Sequence, residues 1–181
     1  GTDIFLGAQN CSEHKPGPFT GQVLAESLAQ IGCTYCIVGH SETRQAFNEI
    51  DSSIAQKVIR LLDNNITPIV YVGETAKEYD NQLTAQVLER QLNPVFAQID
   101  RNKITNKTLI IGYEPLWTKD TNNIPSTDYI IKQIELIKKL ASTISPAIIC
   151  LVTYGGNVNE QTISSLKRIE ALDGVLIGKA S

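Results

Sequence analysis

Six short apolar runs, separated by segments with helical spacing, restrict the fold of this 181-residue chain more than any other feature. We predict strands over Ile4–Ala8, Tyr35–Val38, Pro68–Val72, Thr108–Tyr113, Ala147–Val152 and Gly174–Ile177. Most of these runs are continuously apolar, which is typical of strands buried on both faces of a parallel sheet. The alternation of strand and helix predicts an α/β fold with right-handed crossovers. A doubly wound sheet and a (β/α) barrel both fit, and periodicity does not separate them.

Three of the intervening segments carry apolar residues at helical spacing. The groups are Ile54, Val58, Leu61 and Leu62; Leu83, Val87, Leu88 and Leu92; and Ile130, Ile134 and Ile137. Ser126 or Thr127 is expected to cap the third helix, with Asp128 in its first turn. The pairs at 64–65 and 122–123 are Asn-Asn and predict turns.

Composition narrows the class of partner. Hydrophobic residues make up 42% of the chain and charged residues 19%, which is ordinary for a globular domain. The net charge of -3 gives no basic excess and argues against nucleic acid and anionic membranes. No apolar run approaches the length of a membrane span.

The four cysteines predict buried thiols rather than a metal site. Cys33 and Cys36 form a lone Cys-x-x-Cys pair, with no second pair to complete a tetrahedral zinc site. Cys36 lies in a predicted strand, where residues three apart point to opposite faces. We therefore expect reduced thiols that behave as small hydrophobes, as in a cytosolic protein.

Polar residues follow several strands, at the end where α/β folds place their chemistry. His40 and Glu42 follow the second run, and Glu114 follows the fourth. A carboxylate at the end of a buried strand loses hydration and becomes a better base. Each residue also has a structural explanation, as a core histidine or a salt-bridge partner. Their joint placement at one rim favours a site.

Glycines follow the last two runs. Gly156 and Asn157 come after the fifth, and Gly178 and Lys179 after the sixth. Glycines there let backbone N–H groups approach an anion, and these loops of a (β/α) barrel commonly bind phosphate. A Gly-Gly pair is otherwise simply a turn.

Seven short motifs together resemble one family. They are Gly-Ala-Gln-Asn at 7–10, Phe-Thr-Gly at 19–21, Gly-His-Ser-Glu at 39–42, Val-Gly-Glu at 72–74, Tyr-Glu-Pro-Leu-Trp at 113–117, Tyr-Gly-Gly at 154–156 and Asp-Gly-Val-Leu-Ile-Gly at 173–178. In order and spacing the chain resembles the triosephosphate isomerases over essentially its whole length. The resemblance implies a (β/α)8 TIM barrel, with residues 1–181 as one incomplete domain of about six βα units.

The resemblance also implies an activity. A member interconverts dihydroxyacetone phosphate and glyceraldehyde 3-phosphate in cytosolic glycolysis and gluconeogenesis, without a metal or organic cofactor. Glu114 would be the base that moves the proton between C1 and C2. His40 would be the neutral imidazole that polarises the carbonyl, with Glu42 in support. This family is itself the standard illustration of such pKa tuning of a base and a histidine.

Further roles follow from the same resemblance. Trp117 would lie near the hinge of a loop that closes over the substrate and excludes water. Gly178 would donate its N–H to phosphate. Thr20 would reach across a homodimer interface from the loop at 19–21.

The chain departs from the family pattern in three places. Nothing matches the Asn-Trp-Lys motif of the first strand in the family, so we expect a partial chain that starts at the third strand of the barrel. Loss of the lysine of that motif would lower the rate of catalysis by orders of magnitude. Asp120 stands where a loop glycine should meet phosphate, and its charge would repel a dianion. Asn157 replaces a serine but still donates a hydrogen bond, and Lys179 replaces a glycine and adds a cation.

These departures leave alternatives open. One is a catalytically impaired barrel homologue that acts as a binding protein. Another is a phosphosugar isomerase with an altered substrate, and a third is a structural segment without activity. Six strands cannot close an eight-stranded barrel, so two open sheet edges are also expected.

Overall fold

A six-stranded parallel sheet lies at the centre of the computed structural model, which describes residues 4–102, 104–119, 124–143 and 148–181. The strands are β1 (Gly7–Ala8), β2 (Tyr35–Val38), β3 (Thr67–Val72), β4 (Lys107–Tyr113), β5 (Ile148–Tyr154) and β6 (Gly174–Val175). They lie in chain order, and each pairs in parallel with the next. A doubly wound sheet reverses its strand order, whereas a (β/α)8 barrel does not. The predicted α/β fold is confirmed, and the strand order identifies it as part of such a barrel.

Helices connect the strands. They are α1 (Ala25–Gln30), α2 (Ser41–Ala46), α3 (Asp51–Asp63), α4 (Ala76–Asp80), α5 (Thr84–Arg101), α6 (Thr127–Ala141) and α7 (Ile163–Leu166). The three predicted helices are α3, α5 and α6, and the Ser126 hydroxyl caps α6 by accepting the N–H of Tyr129 at 3.3 Å. The four short helices were not predicted, because they have too few turns to show a period.

Several strand boundaries differ from the sequence prediction. The first strand begins at Gly7 rather than Ile4, and Ile4 is 85% exposed at the sheet edge. The last ends at Val175 rather than Ile177, which is also exposed. The fifth continues to Tyr154, two residues beyond the predicted end, because its pairing with β4 persists to that point. A strand ends where its hydrogen bonding with the adjacent strand ends, and an apolar run in the sequence does not show that position. Ala147 lies outside the described residues.

The predicted turn at 64–65 is present, with Asn65 at φ 59°. That positive φ suits asparagine, which tolerates the left-handed region better than most residues. The predicted turn at 122–123 lies outside the described residues.

Three of the four cysteines are buried as expected, and Cys150 is partly buried. Cys11, Cys33 and Cys36 are buried free thiols in the core between sheet and helices. A hydrogen bond with Cys11, together with burial, raises the pKa of the Cys36 thiol. Burial raises the pKa of Cys150 to about 12. In the described part of the chain, no group of three or more His, Cys, Asp or Glu side chains is arranged to hold a metal ion.

Candidate active site

The carboxyl ends of β2 and β4 bring a histidine and a glutamate face to face. Nε2 of His40 lies 3.8 Å from Oε2 of Glu114. The predicted proximity of these two side chains is therefore observed, at the rim where the strands end. The pair combines an N–H donor with a carboxylate that can take up a proton.

His40 is oriented by the start of a helix. Gly39 follows β2 with φ 71°, a conformation that favours glycine, and His40 comes next as the N-cap of α2. At the N-cap, Nδ1 of His40 accepts the backbone N–H of Glu42 at 3.3 Å. A nitrogen that accepts carries no proton, so the hydrogen bond assigns the neutral tautomer with its proton on Nε2. That N–H is the group that faces Glu114.

Backbone pairing fixes the position of Glu114. Its N–H donates to the carbonyl of Val72 at 2.8 Å, which extends the β3–β4 pairing beyond the end of β4. Gly73 packs against it so closely that a Cβ there would lie 1.9 Å from the Glu114 carbonyl oxygen. Only glycine allows that approach. The Glu114 side chain is 11% exposed, and within the described residues its buried Oε2 accepts no hydrogen bond.

Glu42 contributes through its backbone more than through its side chain. Its carboxylate lies 3.8 Å from Nδ1 of His40, but the side chain is 81% exposed. The N–H that orients the imidazole is present whatever the side chain at this position.

The residues predicted to hold phosphate differ in burial, and one of them lies outside the described residues. Gly156 is buried, and a Cβ there would lie 2.5 Å from the Tyr154 hydroxyl and 3.0 Å from that of Thr118. Gly156 therefore packs against the segment that follows Glu114.

Asn157 has φ 49°, and its carbonyl accepts the Thr162 hydroxyl at 3.0 Å. Gly178 and Lys179 are exposed, and no hydrogen bond or ion pair between described residues joins them to His40 or Glu114. Asp120 lies outside the described residues.

Comparison with known proteins gives the family of this chain. The sequence profile of triosephosphate isomerase matches residues 1–181. The chain belongs to the triosephosphate isomerase family. The triosephosphate isomerase of Dichelobacter nodosus is 39% identical over 97% of this chain and 72% of its own length. The triosephosphate isomerase of Wolbachia pipientis wMel is 38% identical over 99% of this chain and 67% of its own length. That of Aquifex aeolicus is 35% identical over 100% of this chain and 73% of its own length.

Sequence reasoning gave no role to Glu74, which forms a second polar cluster in this triosephosphate isomerase family member. Its fully buried carboxylate accepts the indole N–H of Trp117 at 2.8 Å and the hydroxyls of Tyr113 and Tyr129 at 3.1 and 2.9 Å. Burial raises the pKa of Tyr113 and that of Tyr129, the latter to about 12. The signal available in the sequence was an acidic residue directly after a buried strand.

Lys119 was also missed. Its ammonium lies 3.5 Å from Oε1 of Glu114 and donates to the Ser41 hydroxyl at 2.6 Å. Nothing in the sequence indicates that a lysine five positions after Glu114 turns back toward it, because a short 3-10 helix, Leu116–Thr118, produces the reversal.

Proposed function

We propose that the protein is an aldose–ketose isomerase that interconverts dihydroxyacetone phosphate and D-glyceraldehyde 3-phosphate through an enediolate. The single observation that carries the proposal is the 3.8 Å approach of Nε2 of His40 to Oε2 of Glu114. Membership of the triosephosphate isomerase family supports the choice of substrate.

Glu114 is the base in this proposal. Its carboxylate removes a proton from C1 of dihydroxyacetone phosphate, and the electron pair of that C–H bond forms the C1–C2 double bond of the enediolate. The same carboxylate returns the proton to C2. A group that acts on both carbons must sit above the C1–C2 bond, and the backbone pairing of Glu114 with Val72 supports so fixed a position.

His40 acts on the oxygens. As a neutral imidazole with its proton on Nε2, it donates a hydrogen bond to the C2 carbonyl oxygen while negative charge develops there. It also mediates the proton exchange between the two oxygens that converts ketose to aldose. The hydrogen bond from Glu42 N–H to Nδ1 supports this tautomer.

The phosphate is assigned to the loops after β5 and β6. Gly156, Asn157, Gly178 and Lys179 are the candidate ligands, and Asp120 is a candidate in the segment after Lys119. The close packing of Gly156 against Thr118 supports a link between the phosphate loops and the segment that bears Trp117. That segment closes over the substrate and excludes water, which protects the enediolate from loss of phosphate.

A homodimer is also proposed, through the loop at 19–21. Residues 15–23 are exposed, and Phe19 stacks on His14 with ring centroids 3.9 Å apart. Beside this loop is a cavity of about 630 Å³, and Phe47 and Ile50 on its lining are 77% and 61% exposed. An exposed loop beside a cavity whose lining carries two exposed apolar side chains supports mutual insertion by two copies of the chain.

Residues 1–181 are assigned to one incomplete barrel domain, supported by the single hydrophobic core of the described residues. Triose phosphates are intermediates of glycolysis and gluconeogenesis, and free thiols are usual in the cytosol, which supports a cytoplasmic location. None of the described helices is long and apolar enough to span a membrane.

A coupled assay on the full-length gene product tests the activity. Glu114→Gln and His40→Gln should each lower kcat by about 10²–10⁴-fold, as expected for loss of a proton-transfer group. Glu89→Gln, on the exposed face of α5, is the matched control and should behave as the parent. Absence of turnover in the parent protein, or a Glu114→Gln variant with parental kcat, would overturn the proposal and favour a binding protein or a changed substrate.

Sedimentation velocity tests the homodimer. Phe47→Glu should shift the protein from dimer to monomer, because a charge would then be buried in the interface. Ile31→Glu is the control, at an exposed apolar residue that directly follows α1 and lies outside the lining of the cavity. A parent protein that sediments as a monomer contradicts the dimer.

A further inference from the structure

The side chain of Lys119 lies beside that of Glu114, the proposed base. Its ammonium lies 3.5 Å from Oε1 of Glu114, while Nε2 of His40 lies 3.8 Å from Oε2. The carboxylate is thus flanked by an ammonium on one side and an imidazole on the other. Lys119 directly follows the 3-10 helix Leu116–Thr118, and its side chain reaches Ser41 at the start of α2.

Ser41 fixes the ammonium at a second point. The Ser41 side chain belongs to a buried residue at the start of α2, and its hydroxyl accepts a hydrogen bond of 2.6 Å from Nζ of Lys119. Lys119 therefore bridges the segment after β4 and the helix that carries His40. The lysine side chain is 38% exposed, so it remains accessible to a ligand from solvent.

The charge of this group suits an anionic substrate. A carboxylate and a phosphate dianion repel each other, and a cation between them offsets that repulsion. An ammonium is a compact charge with three donors, and it can exchange one oxygen ligand for another without losing its contact with Ser41.

We propose that Lys119 is an anion-binding residue of the active site, which ion-pairs with Glu114 before substrate arrives and with the phosphate group of the substrate once it is bound. The inference rests on the proposed function for the identity of the substrate. Its chemical content, binding of a phosphate-like anion beside Glu114, stands independently of turnover.

Three variants of the full-length protein test it. Lys119→Met keeps most of the side-chain length without the charge, and Lys119→Arg keeps the charge. Lys77→Met removes an exposed lysine of α4 and controls for net charge. The measurements are kcat, KM for the triose phosphate and the inhibition constant of inorganic phosphate, at low and moderate ionic strength.

Lys119→Met should raise KM and the phosphate inhibition constant by about tenfold, the effect of one charge-assisted contact. It should change kcat less than KM, and Lys119→Arg should recover most of the binding. Parental constants in Lys119→Met, or equal loss in Lys119→Met and Lys119→Arg, would overturn the inference.

The two proposals fail separately. If Glu114→Gln retains turnover, the proposed function is wrong, and calorimetric titration of inorganic phosphate into the parent protein and Lys119→Met still tests the anion site. Weaker phosphate binding in Lys119→Met supports the inference, and equal binding rejects it.

Discussion

Trp117 donates a hydrogen bond of 2.8 Å from its indole N–H to Oε1 of Glu74. The ring of Tyr79 stacks on the same indole with centroids 4.1 Å apart. Because Glu74 follows β3 and Trp117 follows the catalytic candidate Glu114, this contact ties the chain beyond the base to the neighbouring strand.

Replacement of Glu74 by glutamine should destabilise the protein. The amide nitrogen would face groups that donate, the indole of Trp117 and the hydroxyl of Tyr129, and one buried donor would lose its acceptor. We expect the free energy of unfolding to fall by about 1–3 kcal/mol in urea denaturation. Glu89→Gln, at an exposed carboxylate, should be neutral, and equal stability of the two variants would contradict this account.

Replacement of Gly73 by alanine should affect both stability and activity. The new Cβ would lie 1.9 Å from the carbonyl oxygen of Glu114, so the backbone that carries this proposed base must shift. We expect a loss of about 2–4 kcal/mol in unfolding free energy and a fall in kcat of about 10²-fold. Gly7→Ala is the matched control, because its Cβ would make an ordinary 3.5 Å contact with Tyr35. Parental kcat in Gly73→Ala would show that the backbone does not fix the base.

Tyr71 makes stability depend on alkaline pH. Burial first, and the carboxylate of Glu114 second, raise its pKa from 10.0 to about 12. Between these values the folded protein keeps a proton that the unfolded chain loses, so its contribution is complete below pH 10 and is lost as pH rises to about 12. Tyr71→Phe should reduce the fall in unfolding free energy across this window by at most about 1.4 kcal/mol per pH unit.

Tyr35→Phe, at a partly exposed tyrosine, is the control for that experiment. Phenolate absorbance gives a second measurement: Glu114→Gln should lower the pKa of Tyr71, because it removes the neighbouring negative charge. An unchanged alkaline slope in Tyr71→Phe would show that this phenol does not contribute.

The tautomer of His40 can be observed directly. Since Nδ1 accepts the backbone N–H of Glu42, nitrogen NMR at neutral pH should find Nδ1 unprotonated and Nε2 protonated. Glu42→Gln should leave this tautomer unchanged, because it keeps the backbone donor. A protonated Nδ1 would contradict the hydrogen bond and, with it, the assignment of Nε2–H as the group that faces Glu114.

The sequence was most informative about the centre of the sheet and the residues at its rim. Runs such as 35–38 are apolar because one face is buried and the other is partly buried, so the strands were predictable from the apolar runs alone. His40 and Glu114 were predictable because each directly follows such a run. Strand ends at the sheet edges were not, since exposed Ile4 and Ile177 are as apolar as core residues.

Contacts between distant segments were beyond sequence reasoning. The ammonium of Lys119 reaches the Ser41 hydroxyl across 78 positions of the chain. Glu74 is fully buried although acidic residues usually lie at the surface, because Tyr113, Trp117 and Tyr129 supply its donors. Neither contact leaves a period or a characteristic spacing in the sequence, so neither can be predicted before the fold is known.

The ladder between Val72 and the N–H of Glu114 has an evolutionary consequence. A residue whose main chain is hydrogen-bonded to a neighbouring strand keeps its position when the residues after it change. Substitutions downstream of Trp117 can therefore accumulate without moving Glu114, the proposed base. The side chains of that stretch, Lys119 among them, can therefore change while the Glu114 backbone keeps its place, and differences in ligand preference among relatives should be sought there first.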